Sequence, residues 1–119
     1  VPDRLVIDSL SSVSAAFSEN AHGYRQYVLR LFDAMEKIGS VNIVIDETPQ
    51  DPAMYSRTGI EEFLADGVLV FYNVKAHNRR ETSLEILKLR GGAHVKRLVP
   101  YKITRNGFEV YADQEAFYE

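Results

Sequence analysis

The chain contains no cysteine. Disulfides, thiolate zinc sites and cysteine nucleophiles are therefore excluded. Its three histidines are too few by themselves to make a zinc centre. No apolar run approaches the roughly 20 residues that span a bilayer, and the N-terminus lacks the basic start, apolar middle and small-residue cleavage site of a secretory leader. These absences lead to the expectation of a soluble cytoplasmic protein with no membrane partner. What is present is a globular composition, 45% hydrophobic and 26% charged over 119 residues, enough for one compact domain across residues 1–119 and too short for two ordinary ones. Val1-Pro2-Asp3-Arg4 runs straight into an apolar strand, as if the chain opened in the middle of a fold.

Charge is unevenly spread. The whole chain carries −3, yet residues 75–105 hold nine Lys/Arg against Glu81 and Glu85, a local balance of +7. A basic segment in an acidic chain points to an anionic ligand or an acidic partner surface. The plainer alternative is a solvated sheet edge guarded by Lys and Arg.

Hydrophobic patterning gives the order of elements. Arg4-Leu5-Val6-Ile7-Asp8 reads as a short buried strand ending in a carboxylate. Residues 9–20, rich in Ser and Ala, read as a loop or frayed helix start. Tyr24, Tyr27, Val28, Leu31, Met35 and Ile38 recur at helical spacing, and Gly39 is the expected stop. Val41 to Asp46 is a second buried strand. Strand, helix, strand with short joints makes a βαβ unit with parallel strands. The joint from Thr48 to Gly59, with Pro49 and Pro52, has the length of a functional loop. A short helix at 60–65 leads to Asp66-Gly67 and a third strand, Val68 to Val74. Alternation over Thr82 to Arg90 places Leu84, Ile86 and Lys88 on one side. Leu98 to Thr104 follows, joined through Asn106-Gly107 to Phe108-Glu109-Val110-Tyr111 as a hairpin. The fold class is α/β, a parallel first half followed by an antiparallel meander in a mixed sheet.

Ligands of parallel α/β sheets bind beyond the carboxyl ends of the strands. Asp8 ends the first strand and Asp46-Glu47 the second, so three carboxylates are expected on one rim, a donor set suited to Mg²⁺ with waters and phosphate oxygens. The alternative is that such an Asp caps the following turn. Both strands have the form of a Walker B element, yet no stretch reads G-x-x-x-x-G-K-[ST]. Gly91-Gly92 lies in a hairpin connection and cannot replace that loop. Ser9, Ser11 and Ser12 lack a glycine-flanked elbow, and His22 and His77 lie in polar joints. A second candidate cluster is Lys88 and Arg90, two apart at a strand end, with His94 and Lys96 beyond. Arg supplies a fork of donors and Lys a mobile point charge, a combination suited to polyphosphate.

At these residues the sequence resembles the KaiC-like branch of the RecA superfamily of ring-forming ATPases. The resemblance is carried by Leu5-Val6-Ile7-Asp8-Ser9-Leu10-Ser11, by Gly59-Ile60-Glu61-Glu62-Phe63-Leu64-Ala65-Asp66-Gly67-Val68, and by Leu87-Lys88-Leu89-Arg90-Gly91-Gly92-Ala93-His94. The ending, Tyr101-Lys102-Ile103-Thr104 and Asn106 to Tyr111, fits as well. The resemblance implies a partial RecA-like sheet from Walker B onward, the C-terminal portion of an ATPase domain. It implies Asp8 as the Walker B ligand of Mg²⁺ and Asp46-Glu47 at the end of the sensor strand, where Asp46 replaces the family's Thr or Ser. It implies Lys88 and Arg90 as trans-acting catalytic residues reaching a neighbour's γ-phosphate, with His94, Lys96 and Glu47 beside the ATP. The Thr48–Gly59 joint corresponds to a loop facing the ring channel. The phosphate loop and the water-activating glutamate belong to a half not contained here, so the chain alone is expected not to hydrolyse ATP. Homo-oligomer or ring subunits are the implied partners. The competing reading is a non-catalytic interaction module docking on full-length subunits, and nucleic-acid binding ranks third. An apolar parallel strand left at a sheet edge predicts self-association.

Overall fold

A computed structural model of the chain describes residues 1–17, 19–48 and 59–116. The chain forms two compact units, Val1–Ala65 and Asp66–Glu119. The first holds β1 (Arg4–Asp8), α1 (Leu10–Phe17), α2 (Ala21–Ile38), β2 (Val41–Ile45) and α3 (Glu61–Leu64). β1 and β2 pair in parallel, Arg4 opposite Val41 and Asp8 opposite Ile45, as the βαβ pattern requires.

Residues 10–17 form a regular helix, the helical one of the two readings, loop or frayed helix start, that their composition left open. Leu10, Val13 and Phe17 follow helical spacing, and burial outweighs the modest propensity of Ser. Leu10 is fully buried, while Val13 and Phe17 pack on the cluster of Tyr24, Val28 and Ile60. α2 starts three residues before its apolar stripe, because the Asn20 side chain accepts a 2.9 Å hydrogen bond from the Gly23 N–H and satisfies a donor that the first turn leaves open. Gly39 ends it at φ +78°, its N–H reaching the Met35 and Glu36 carbonyls. Tyr24, Val28 and Met35 are the buried stripe, while Tyr27 and Ile38 lie exposed. Below the cluster, the Tyr24 hydroxyl donates to Glu61 Oε1 at 2.6 Å. This gives the buried Glu61 a partner at the start of α3.

The two parallel strands are not buried on both faces, as their unbroken apolar runs suggested. Side chains alternate, and the face bearing Val6 (59% exposed) and Ile43 (58%) is open, together with Val41 and Ile45.

The second unit is a four-stranded antiparallel sheet in the order β3 (Gly67–Ala76), β4 (Arg79–Leu89), β5 (Val99–Thr104), β6 (Gly107–Val110), the expected meander. β3 and β4 are longer than their patterns indicated, because they close in a two-residue turn. His77 and Asn78 both take positive φ, 49° and 66°, the geometry of a type I′ turn. The hairpin of β5 and β6 turns at Arg105-Asn106, with Gly107 paired to Thr104 at φ +110°. One face of this sheet carries an aromatic group. Phe71 stands edge-on to Tyr101 and Phe108, and Tyr101 stacks on Phe108 with centroids 4.6 Å apart.

No helix among the described residues is long and apolar enough to cross a membrane. Most of the proline-containing joint, residues 49–58, lies outside the described residues, and with it the loop that the resemblance places toward a ring channel.

Candidate functional site

The six expected site residues fall into two groups. Asp8 and Glu47 belong to the first unit, and Lys88, Arg90, His94 and Lys96 to the second.

In the first unit the parallel pairing sets Asp8 beside Ile45, so Asp46 and Glu47 follow directly beyond the same rim. Asp8 is exposed at the strand end, and the peptide joining it to Ser9 is cis. Asp46 is half-buried and turned toward α1. Its Oδ1 accepts from the Ser11 hydroxyl at 2.9 Å and from the Glu47 N–H at 3.0 Å, and the same N–H reaches Ser11 Oγ at 2.8 Å. Ser11, which lacks the surroundings of a nucleophile, thus ties the first turn of α1 to the end of β2. The expected convergence of three carboxylates does not occur: no three His, Cys, Asp or Glu among the described residues are grouped to hold a metal. The physical reason is that hydrogen-bond donors from Ser11 and Glu47 engage Asp46 and turn it to the protein. Asp8 and Glu47 remain exposed beyond the rim without a third carboxylate beside them. That donor set fits Mg²⁺ of the kind held by one or two carboxylates, waters and phosphate oxygens, and does not fit an all-protein cage.

In the second unit β4 carries Lys88 to the sheet end. Its register corrects the expectation that Ile86 and Lys88 share a face. Val68 pairs with Lys88 but Leu69 pairs with Ile86, so Leu87 is an extra residue and the ladder shifts there. Adjacent residues of β3 point to opposite faces, and the bulge therefore moves Lys88 to the face opposite Ile86. Simple alternation in sequence has no means of registering an inserted residue.

Arg90 follows in a tight turn. The Gly92 N–H donates to the Leu89 carbonyl at 3.3 Å, and Gly91 takes φ +76°, which places Arg90 and Gly91 at the two central positions of a type II turn. This explains the glycine at 91. Gly92 fits closely for a different reason, since a Cβ there would meet Leu89 Cδ2 at 3.0 Å and the Leu89 side chain would have to shift. Arg90 is held twice by Asp66. Its backbone N–H donates to the Asp66 carbonyl at 2.8 Å, and its Nη1 pairs with Asp66 Oδ1 at 2.8 Å. Nothing in the sequence indicated that residues 24 apart would meet; the pairing of Gly67 with Leu89 brings them together. His94 is half-buried in the segment after the turn, with Nδ1 3.3 Å from the Val95 carbonyl, and Lys96 is exposed.

The comparisons with known proteins agree with this architecture. A family described as "ATPase: KaiC" matches residues 1–115. The circadian clock oscillator protein KaiC of Synechococcus elongatus is 34% identical over 108 residues, covering 91% of this chain and 21% of that protein. The circadian clock protein KaiC3 of Synechocystis is 36% identical over 100 residues, 84% of this chain and 20% of that one. The crystal structure of a KaiC-like protein from the hyperthermophilic archaeon Pyrococcus horikoshii superposes with a TM-score of 0.79 at 34% identity, covering 92% of this chain and 46% of that one. The chain thus spans about a fifth of the clock proteins and just under half of the archaeal chain. A family match over nearly the whole chain, with a RecA-like relative of the same fold, places this protein in the KaiC family of ATPases.

Proposed function

We propose that the chain is the C-terminal portion of a KaiC-like ATPase domain, from Walker B onward, and that it works as part of an oligomeric ATP site. In this reading residues 1–119 act as a single functional domain. Asp8 supplies the Walker B carboxylate toward Mg²⁺, which when bound neutralises phosphate charge. Lys88 and Arg90 reach a neighbouring subunit's γ-phosphate, with His94, Lys96 and Glu47 beside the nucleotide. The observation that carries the reading is the family match across 1–115, combined with a basic strand end whose turn presents Arg90 at the surface. Positive charge supplied in trans stabilises charge developing on a transferred phosphoryl group and makes hydrolysis depend on assembly. Localisation in the cytoplasm and assembly into a ring are parts of the same proposal.

The test is ATP turnover by the pure 119-residue chain. Negligible turnover is expected, because no G-x-x-x-x-G-K-[ST] stretch is present. Turnover that disappears in Asp8→Ala would overturn the claim that other residues complete the site.

A second reading, a non-catalytic module docking on full-length subunits, is favoured by the open apolar face of β1 and β2. Exposed contiguous apolar surface marks interaction sites. Light scattering with and without a full-length relative separates the two: co-migration without any change in the relative's turnover supports the module. The same open face predicts self-association, and a strictly monomeric chain at high concentration by sedimentation would refute it.

A further inference from the structure

The geometry points to Asp66 as a positioning residue that competes with phosphate for Arg90. This inference rests on the reading of Lys88 and Arg90 as a phosphate-facing pair and goes beyond it, because it assigns a role to a residue outside that pair.

Asp66 stands immediately before β3, where Gly67 pairs with Leu89. Its backbone carbonyl continues the ladder to the Arg90 N–H, and its carboxylate takes up Nη1 of the guanidinium. The two contacts do different things. The backbone bond fixes where the turn begins and is independent of the Asp66 side chain. The ion pair decides what the guanidinium faces. Arginine recognises phosphate through parallel N–H donors, and with Nη1 engaged the end-on fork of Nη1 and Nη2 is occupied, which leaves an incoming ligand only the Nε–Nη2 edge. The carboxylate also adds a negative charge where an anion must approach. Both effects act against phosphate and neither closes the site, since the two side chains are 59% and 86% exposed and an exposed pair of this kind is weak. A polyphosphate carries more charge than a carboxylate and displaces it. Asp66 thus holds Arg90 on its own chain until such a ligand arrives.

The experiment uses the ¹⁵N-labelled 119-residue chain, titrated with inorganic tripolyphosphate at low salt and followed by NMR. Asp66→Asn keeps size and the backbone bond while removing the charge, and is expected to tighten binding about two- to fivefold, the range set by an exposed ion pair. The Arg90 Nε–Hε resonance should move in Asp66→Asn before any ligand is added, which reports release of the ion pair, whereas the tighter phosphate binding is what a purely structural role for Asp66 would not produce. Asp66→Glu should restore the unsubstituted affinity, and the gain should shrink in high salt as the charges are screened. In an Arg90→Ala background the Asp66→Asn gain should vanish. Unchanged or weaker binding by Asp66→Asn overturns the role of Asp66 alone, as does a gain that survives without Arg90. Absence of tripolyphosphate binding by every variant overturns the phosphate reading of Lys88 and Arg90, and this inference with it.

Discussion

Replacing Ser11 by Ala removes the hydroxyl that joins α1 to the end of β2. Two contacts go with it, the 2.9 Å bond donated to Asp46 Oδ1 and the 2.8 Å bond accepted from the Glu47 N–H. The second loss is cushioned, because that N–H also donates to Asp46 Oδ1 at 3.0 Å. The first leaves Asp46 Oδ1 with the Glu47 N–H as donor, but it removes a partly buried bond to a charged group. A hydrogen bond to a charged group contributes about 1.5–3 kcal/mol. Against this, Ala is the better helix former, by about 0.5 kcal/mol. The expected net loss is about 1–2.5 kcal/mol. With an m-value of about 1.5 kcal/mol/M, a chain of this size should lose about 1 M from its urea midpoint. Far-UV circular dichroism is the appropriate probe, because the chain has no tryptophan. The double variant Ser11→Ala/Asp46→Ala should show a coupling of at least about 0.5 kcal/mol, as residues in direct contact do. A midpoint displaced by less than about 0.3 M, or additive single effects, would refute the assignment of Ser11 as the tie between these elements.

Val28 is fully buried between Tyr24 and Ile60, so Val28→Ala should cost about 2–3 kcal/mol through lost burial and the cavity left behind, measured by the same denaturation. Gly91 sits at φ +76°, where an L side chain costs about 1–2 kcal/mol. Gly91→Ala should destabilise by that amount and weaken tripolyphosphate binding by re-aiming Arg90, whereas a variant of unchanged affinity would show that the turn does not orient it. The Tyr111 phenol donates to Glu109 Oε2 at 3.0 Å, and this hydrogen bond raises its pKa above the ordinary 10.0. The protonated phenol is the form the fold favours. Its contribution is therefore complete below pH 10 and lost as pH rises through the folded value. In a titration at 295 nm this tyrosine should ionise late, and Glu109→Gln should bring it back toward the ordinary range.

Much of the fold was legible in local pattern. The period of the α2 stripe, the stop at Gly39 and the βαβ order required only side-chain spacing and a short joint. α1 was left undecided between a loop and a frayed helix start, because the Ser content over 9–14 hid the spacing of Leu10, Val13 and Phe17. The His77-Asn78 turn was missed because it lacks glycine and proline, although Asn tolerates the left-handed region. The candidate site divided in the same manner. Lys88 and Arg90 stood out by charge and spacing, whereas Asp66 and Ser11 did not, since each acquires its meaning from a partner many residues away.

By itself, then, the sequence determined the element order, the parallel pairing and the kinship with an ATPase family, because these depend on residue type and short-range spacing. Only the tertiary structure decided that Asp46 turns to Ser11 rather than joining Asp8 around a metal, that a bulge at Leu87 moves Lys88 to the other face, and that Arg90 rests on Asp66. Each of these depends on strand register and on competition between distant donors and acceptors. A linear pattern carries neither.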